Sequence, residues 1–153
     1  MSDLKIERIT LNTRIASLQC IYSILFTDNN LTSQITKYFK TKSFLSESDE
    51  DLNKPTEIND KLFNYLVKGV VKNKEELDVT ISKFLKISIE KNDKLLISLL
   101  RLGTFELLYR NNTADIIIIS EYTKLADHFF PPTQVTFVNA ILDKITKAKE
   151  IKK

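Results

Sequence analysis

The chain has 153 residues, of which 42% are hydrophobic and 28% charged. This balance excludes an intrinsically disordered chain and predicts a single compact domain over residues 1–153. The formal net charge of +3 is too small for a protein that binds nucleic acid through charge alone.

The number of cysteines and the length of the apolar runs indicate the cellular location of the protein. The chain has one cysteine, which excludes an intramolecular disulfide, and we expect Cys20 to be a small buried thiol. The N-terminus lacks the pattern of a secretory signal peptide, and no apolar run approaches the roughly 20 residues that cross a bilayer. We therefore predict a cytoplasmic protein without membrane contacts.

Two glycines and three prolines are too few for the many tight turns of a β fold, so the composition predicts an all-α protein. The first helix is predicted at about residues 8–26, because apolar residues recur three and four positions apart. These residues are Leu11, Ile15, Leu18, Tyr22 and Leu25. A second, shorter helix is predicted at about 31–39, and the acidic, serine-rich stretch at about 42–55 is predicted to be an exposed loop.

The next three helices follow from the same periodicity. The third is marked by Ile58, Leu62, Leu66 and Val70, and the fourth by Leu77, Ile81 and either Phe84 or Leu85. Residues 92–109 are apolar around most of a helix circumference, which predicts a fifth helix in the centre of the core.

The β-branched residues 116–119 favour a strand locally, but an isolated strand would have no sheet to join. We therefore predict a sixth helix that ends near Phe129 and is capped by Asp115 or Ser120. Pro131 and Pro132 end it, and Thr133 is predicted to cap a seventh helix. Val138, Ile141, Ile145 and Ala148 lie on one stripe of that last helix.

Both glycines, Gly69 and Gly103, fall inside predicted helices, where each costs about 1 kcal/mol relative to alanine. We expect a close helix crossing to offset this cost, with a ligand-binding role as the alternative. The chain has one histidine, His128, and no nucleophile motif, zinc-ligand spacing or glycine-rich phosphate loop. The sequence thus predicts no catalysis, no metal and no cofactor.

Six short stretches carry a family resemblance through their content and order. They are residues 16–23, 63–70, 73–78, 100–108, 119–126 and 137–143. The fourth is the most specific, since L-R-L-G-T-F-E-L-L resembles the L-R-L-G-x-Y-E-L-L element of the NusB family of bacterial antitermination factors. The resemblance spans residues 14–143.

This resemblance implies two perpendicular helical bundles that bind the boxA segment of nascent ribosomal RNA transcripts. It also implies a protein partner, the ribosomal small-subunit protein NusE, and an indirect action on the RNA polymerase elongation complex. The family's first helix begins with several arginines, whereas here Thr10, Leu11, Asn12 and Thr13 precede Arg14. Fewer phosphate contacts predict weaker RNA binding and a flatter salt dependence, for which the lysine-rich C-terminus could compensate.

The predicted RNA contacts in the first helix are Lys5, Arg8, Arg14 and Tyr22. The arginines suit phosphates or bases, with a solvated helix face as the alternative, and Tyr22 could stack on a base or pack in the core. In the last helix Phe137 could stack and Asn139 could read a base edge, with core packing and helix capping as alternatives.

Arg101 and Glu106 lie in the most apolar helix, and we expect them to be structural. Two other functions are open: a stand-alone relative of the helical RNA-binding domain of ribosomal RNA cytosine methyltransferases, or a protein-interaction module with weakened RNA binding.

Overall fold

The computed structural model describes residues 2–26 and 57–151, and within these two ranges it contains helices and no strand. The α-helices are α1 (Asp3–Phe26), α2 (Asp60–Lys72), α3 (Lys74–Ser82), α4 (Lys94–Tyr109), α5 (Asp115–Phe129) and α6 (Pro132–Ile151), with a 3-10 turn at Ile89–Lys91. The all-α prediction is confirmed. The helix expected at 31–39 and the loop expected at 42–55 lie outside the described residues.

The chain divides into two units, Met1–Gly69 and Val70–Lys153, and the division falls inside α2. The first unit therefore contains α1 and most of α2, and the second contains α3 to α6. The perpendicular arrangement of two bundles stays a prediction.

Helix α1 begins at Asp3, five residues before the start that apolar periodicity predicts. Ser2 explains the earlier start, because its Oγ accepts a hydrogen bond from the backbone N–H of Lys5 at 3.2 Å. Asp3 also places a negative charge at the positive end of the helix dipole. Polar residues can thus extend a helix beyond the segment that packs in the core.

Two polar side chains of α1 hold the residues that lead into α2. Thr13 Oγ1 accepts a hydrogen bond from the backbone N–H of Asn59 at 2.8 Å, and Asn12 Nδ2 lies 3.4 Å from the carbonyl oxygen of Glu57. Asn59 in turn caps α2, since its Oδ1 accepts from the N–H of Leu62 at 3.0 Å. These contacts fix the entry of α2 against the middle of α1.

The second unit is built around α4, as its apolar sequence predicts. Every residue from Leu96 to Leu107 is buried, and α4 packs against α3, α5 and α6. Asp93 caps this helix by accepting a hydrogen bond from the backbone N–H of Leu96 at 2.9 Å.

The predicted N-terminal caps of two helices are wrong. The residue that precedes α5 is Ala114, which makes no side-chain cap, while Asp115 is the first helical residue and Ser120 lies inside the helix. Likewise α6 begins at Pro132, so Thr133 is helical and does not cap it. Proline fits the first helical position because its φ is already helical and its missing N–H has no partner to lose there.

The fourth predicted helix is too long at its C-terminus, since α3 ends at Ser82 and leaves Phe84 and Leu85 outside it. Residues 116–119 are helical as predicted, with Ile118 buried and Ile116 and Ile117 exposed.

Both glycines are helical, as expected, and Gly103 lies at a close helix crossing. A Cβ on Gly103 would lie 3.1 and 3.2 Å from the two methyl carbons of Leu142 and 3.4 Å from Cγ of Tyr122. Side chains of α6 and α5 therefore occupy the space that a larger residue would need. This confirms the packing explanation for Gly103.

Candidate nucleic-acid interface

Four of the six predicted RNA contacts lie on α1, and two of these, Lys5 and Arg8, are exposed. Lys5 Nζ is 3.9 Å from Glu57 Oε2, and both side chains are more than half exposed. An ion pair this long and this solvated contributes little to stability, so Lys5 can exchange its carboxylate for a phosphate at small cost.

Arg14, the third predicted cation, is buried, with 3% of its surface exposed. A solvated helix face, the alternative considered for it, is therefore wrong. Its burial also means that the guanidinium reaches RNA only if neighbouring side chains move. The role of Arg14 as an RNA contact stays a prediction.

Tyr22 lies at the border between the core and solvent. It is half-buried, and its neighbours Cys20 and Ile21 are buried. Burial raises the pKa of the Cys20 thiol to about 12, so almost no reactive thiolate forms at neutral pH. This confirms the expectation that Cys20 is a buried thiol.

Phe137 and Asn139 lie on α6, in the second unit, where Phe137 is half-buried and Asn139 is exposed. Asn139 Oδ1 is 3.4 Å from Thr123 Oγ1 of α5, a long hydrogen bond. Because Asn139 is exposed, it is not a core residue. Because it lies inside α6, it does not cap the helix. Within each unit the candidate residues share one helix, α1 or α6.

Arg101 belongs to the fold, as predicted, and its partner is Asp78. Its Nε donates to Asp78 Oδ1 at 2.7 Å and its Nη2 donates to Oδ2 at 3.0 Å, while 7% of the arginine side chain is exposed. This bidentate pair joins α4 to α3. Sequence reasoning did not identify Asp78 as the partner, although a buried arginine in an apolar helix signals that a carboxylate must lie nearby.

Glu106 is fully buried and structural, again as expected. One carboxylate oxygen accepts a hydrogen bond from the hydroxyl of Tyr122, and the other accepts from Arg110 Nη1 at 2.7 Å. The charge is thus compensated inside the second unit, between α4 and α5.

A further interaction, which sequence reasoning did not identify, involves the partly buried Lys149 of α6. Its ammonium group donates to the carbonyl oxygen of Leu107 at 2.7 Å and to the Asp115 carboxylate at 3.0 and 3.1 Å. From the sequence, the lysine-rich C-terminus could compensate for the missing arginines in RNA binding. Lys149 instead connects the end of α4 with the start of α5.

Within residues 2–26 and 57–151, no three histidine, cysteine, aspartate or glutamate residues are grouped so that they could hold a metal ion. None of the described helices is both long enough and apolar enough to cross a membrane.

Comparison with known proteins identifies the class. The NusB family model matches residues 11–147. The transcription antitermination protein NusB of Rickettsia akari (strain Hartford) is 31% identical over 160 residues, covering 97% of each chain. The NusB protein of Photobacterium profundum is 30% identical over 139 residues, which cover 87% of this chain and 90% of that protein.

Solved structures share the fold. NusB of T. maritima superposes with a TM-score of 0.71 and 24% identity, over 90% of this chain and 89% of that one. A chain in the crystal structure of antitermination factors NusB and NusE in complex with dsRNA gives a TM-score of 0.73 and 22% identity, over 90% of this chain and 96% of that one.

Together, the fold and the sequence matches define a non-catalytic, all-helical transcription antitermination factor. The chain belongs to the NusB family.

Proposed function

We propose that this chain binds the boxA segment of ribosomal RNA transcripts together with NusE, and acts through that complex on elongating RNA polymerase in the cytoplasm. The observation that carries the proposal is the family match over residues 11–147, which includes most of α1 and α6. The structural neighbour that contains NusB, NusE and dsRNA supports RNA and NusE as partners.

The surface of α1 supports the electrostatic part of this function. Lys5 and Arg8 are exposed, so their charged groups can reach phosphates without rearrangement of the core. Tyr22 is half-buried, and its ring is the part of α1 that would stack on an unpaired base. Arg14 joins this set only if RNA binding opens its surroundings.

On α6, Asn139 can donate to and accept from the edge of a base, and the half-buried Phe137 can offer the edge or face of its ring. Taken together, the predicted RNA contacts on α1 and α6 include fewer arginines than the family pattern. We therefore expect modest affinity for RNA alone and a gain when NusE supplies further contacts.

The experiment that tests this function measures the affinity of the chain for boxA RNA and for a scrambled RNA of equal length, with and without NusE. We expect tighter binding to boxA RNA and a further gain when NusE is present. Equal affinities for the two RNAs, both with and without NusE, would contradict the proposal.

The burial of Arg14 favours a second candidate, a helical protein-interaction module with weakened RNA binding. In that case the chain binds NusE normally while its RNA affinity stays nonspecific. A third alternative, a detached domain related to those of methyltransferases, receives less support. The Rickettsia relative is matched over 97% of its own length, so a protein of this size is itself named an antitermination protein.

A further inference from the structure

Helix α2 carries a basic stripe that the proposed RNA contacts do not include. Lys61, Tyr65, Lys68 and Lys72 are all exposed, and successive members are four, three and four residues apart. At 100° per residue these four positions fall within an arc of about 60° on one side of the helix. We refer to them as the α2 stripe, which is about 16 Å long.

The three lysines of the α2 stripe have no carboxylate within ion-pair distance among the described residues, a property they share with Lys144 of α6. By contrast, Lys74, Lys124 and Lys147 lie 3.8, 3.7 and 2.9 Å from a carboxylate three or four positions away on their own helix. The acidic residue of α2 is Asp60, at the first position, and helical geometry places it about 100° away from Lys61.

This arrangement contributes little to the stability of α2. Lys68 and Lys72 are four residues apart, where like charges repel each other. Lys72 lies in the last turn and gains from the helix dipole, but Lys61 and Lys68 do not. An anion outside the helix would remove the repulsion.

We propose that the α2 stripe binds the phosphate backbone of single-stranded RNA, with Tyr65 as a stacking platform for an unpaired base. Evenly spaced lysines complement a chain of phosphates, and an aromatic ring between them is the combination that single strands favour. In a duplex the bases are stacked on each other and are not available to stack on Tyr65. The inference rests on the proposed RNA-binding function and adds a second contact to it.

The test compares Lys61→Gln/Lys68→Gln with the matched control Lys83→Gln/Lys86→Gln. The control also removes two exposed lysines and changes the net charge equally. Affinity for boxA RNA and for single-stranded poly(U) is measured over a salt series, after circular dichroism has verified the helical fold of each variant. We expect the slope of log K against log salt to fall by about 1.4 for the α2 variant, since each lost contact on a single strand removes about 0.7.

Tyr65 is tested separately with Tyr65→Ala and Tyr65→Phe. Loss of the ring should weaken RNA binding about 5-fold or more, and retention of the ring in phenylalanine should preserve the affinity. If the alanine variant binds like the wild type, Tyr65 is not a stacking platform.

The outcomes separate this inference from the proposed function. If the wild type prefers boxA RNA but the α2 variant behaves like its control, the α2 stripe is not an RNA contact and the proposed function stands. If the wild type shows no preference for boxA RNA yet the α2 variant loses its slope on poly(U), the α2 contact stands without the proposed function. Unchanged RNA binding with lost NusE binding would overturn the inference and identify a protein contact.

Discussion

The stability of the second unit depends on the ion pair between Asp78 and Arg101. The Asp78→Ala substitution leaves the guanidinium of Arg101 without its bidentate partner in a site where 7% of the arginine side chain is exposed. We expect the free energy of unfolding to fall by about 3 kcal/mol, the lower end for breaking a buried pair, because Asp78 is partly exposed. Urea unfolding measures the change.

The control for this prediction is Glu75→Ala, which removes an exposed carboxylate from the same helix. Its effect should stay within about 0.5 kcal/mol. Equal stabilities of the two variants would show that the Arg101 pair is not structurally important.

Gly103 is constrained by packing. An added Cβ would lie 3.1 Å from a methyl carbon of Leu142, and both Leu142 and Tyr122 are fully buried. We expect Gly103→Ala to be destabilising by about 1 kcal/mol, since the overpacking penalty exceeds the gain in helix propensity. In thermal unfolding, Gly103→Ala should cost less when Leu142→Val is also present. An increase in stability from Gly103→Ala alone would contradict the packing account.

The helices illustrate what sequence periodicity can and cannot predict. The centre of each described helix was predictable because apolar residues at helical spacing must be buried. Helix ends were less predictable, since they depend on single polar contacts such as Ser2 with Lys5, or on proline at the start of α6. The same limit applies to Asp78 with Arg101, which are 23 residues apart and meet only in the folded chain.

Lys149 connects three helices, so its substitution is predicted to lower stability. Its hydrogen bonds to Leu107 and Asp115 join α6 to the end of α4 and the start of α5. We expect Lys149→Met to lower the free energy of unfolding by about 1.5–3 kcal/mol, the range for hydrogen bonds to charged groups. Chemical denaturation of the purified variant measures this.

Lys147→Met is the matched control, because Lys147 forms an exposed ion pair with Asp143 on the same helix. Such pairs contribute about 0.5 kcal/mol or less. If both variants lose the same small amount, Lys149 does not connect the helices as described.

At the scale of the whole molecule, the candidate interface was only partly predictable. The family motifs pointed to α1 and α6, and the exposure of Arg8 and Asn139 agrees with a surface role. The burial of Arg14 was not predictable, because Arg14 is next to the apolar stripe and the sequence does not specify which side of it is covered.

This difference in burial predicts that alanine substitution affects RNA binding at Arg8 and stability at Arg14. Arg8→Ala should weaken RNA binding and reduce the salt slope by about 0.7 without changing stability, because Arg8 is exposed. Arg14→Ala should lower the free energy of unfolding by about 1–3 kcal/mol, since it removes a buried side chain. RNA titrations and urea unfolding of both variants separate the effects. Lower RNA affinity of Arg14→Ala at unchanged stability would make Arg14 an RNA contact.

Antitermination itself can be measured as transcription past a terminator placed downstream of boxA, in an extract from the source cells depleted of this chain. Adding the chain back should increase full-length transcript from the boxA template and not from one with scrambled boxA, and Arg8→Ala should restore less. Equal read-through on both templates would contradict the account.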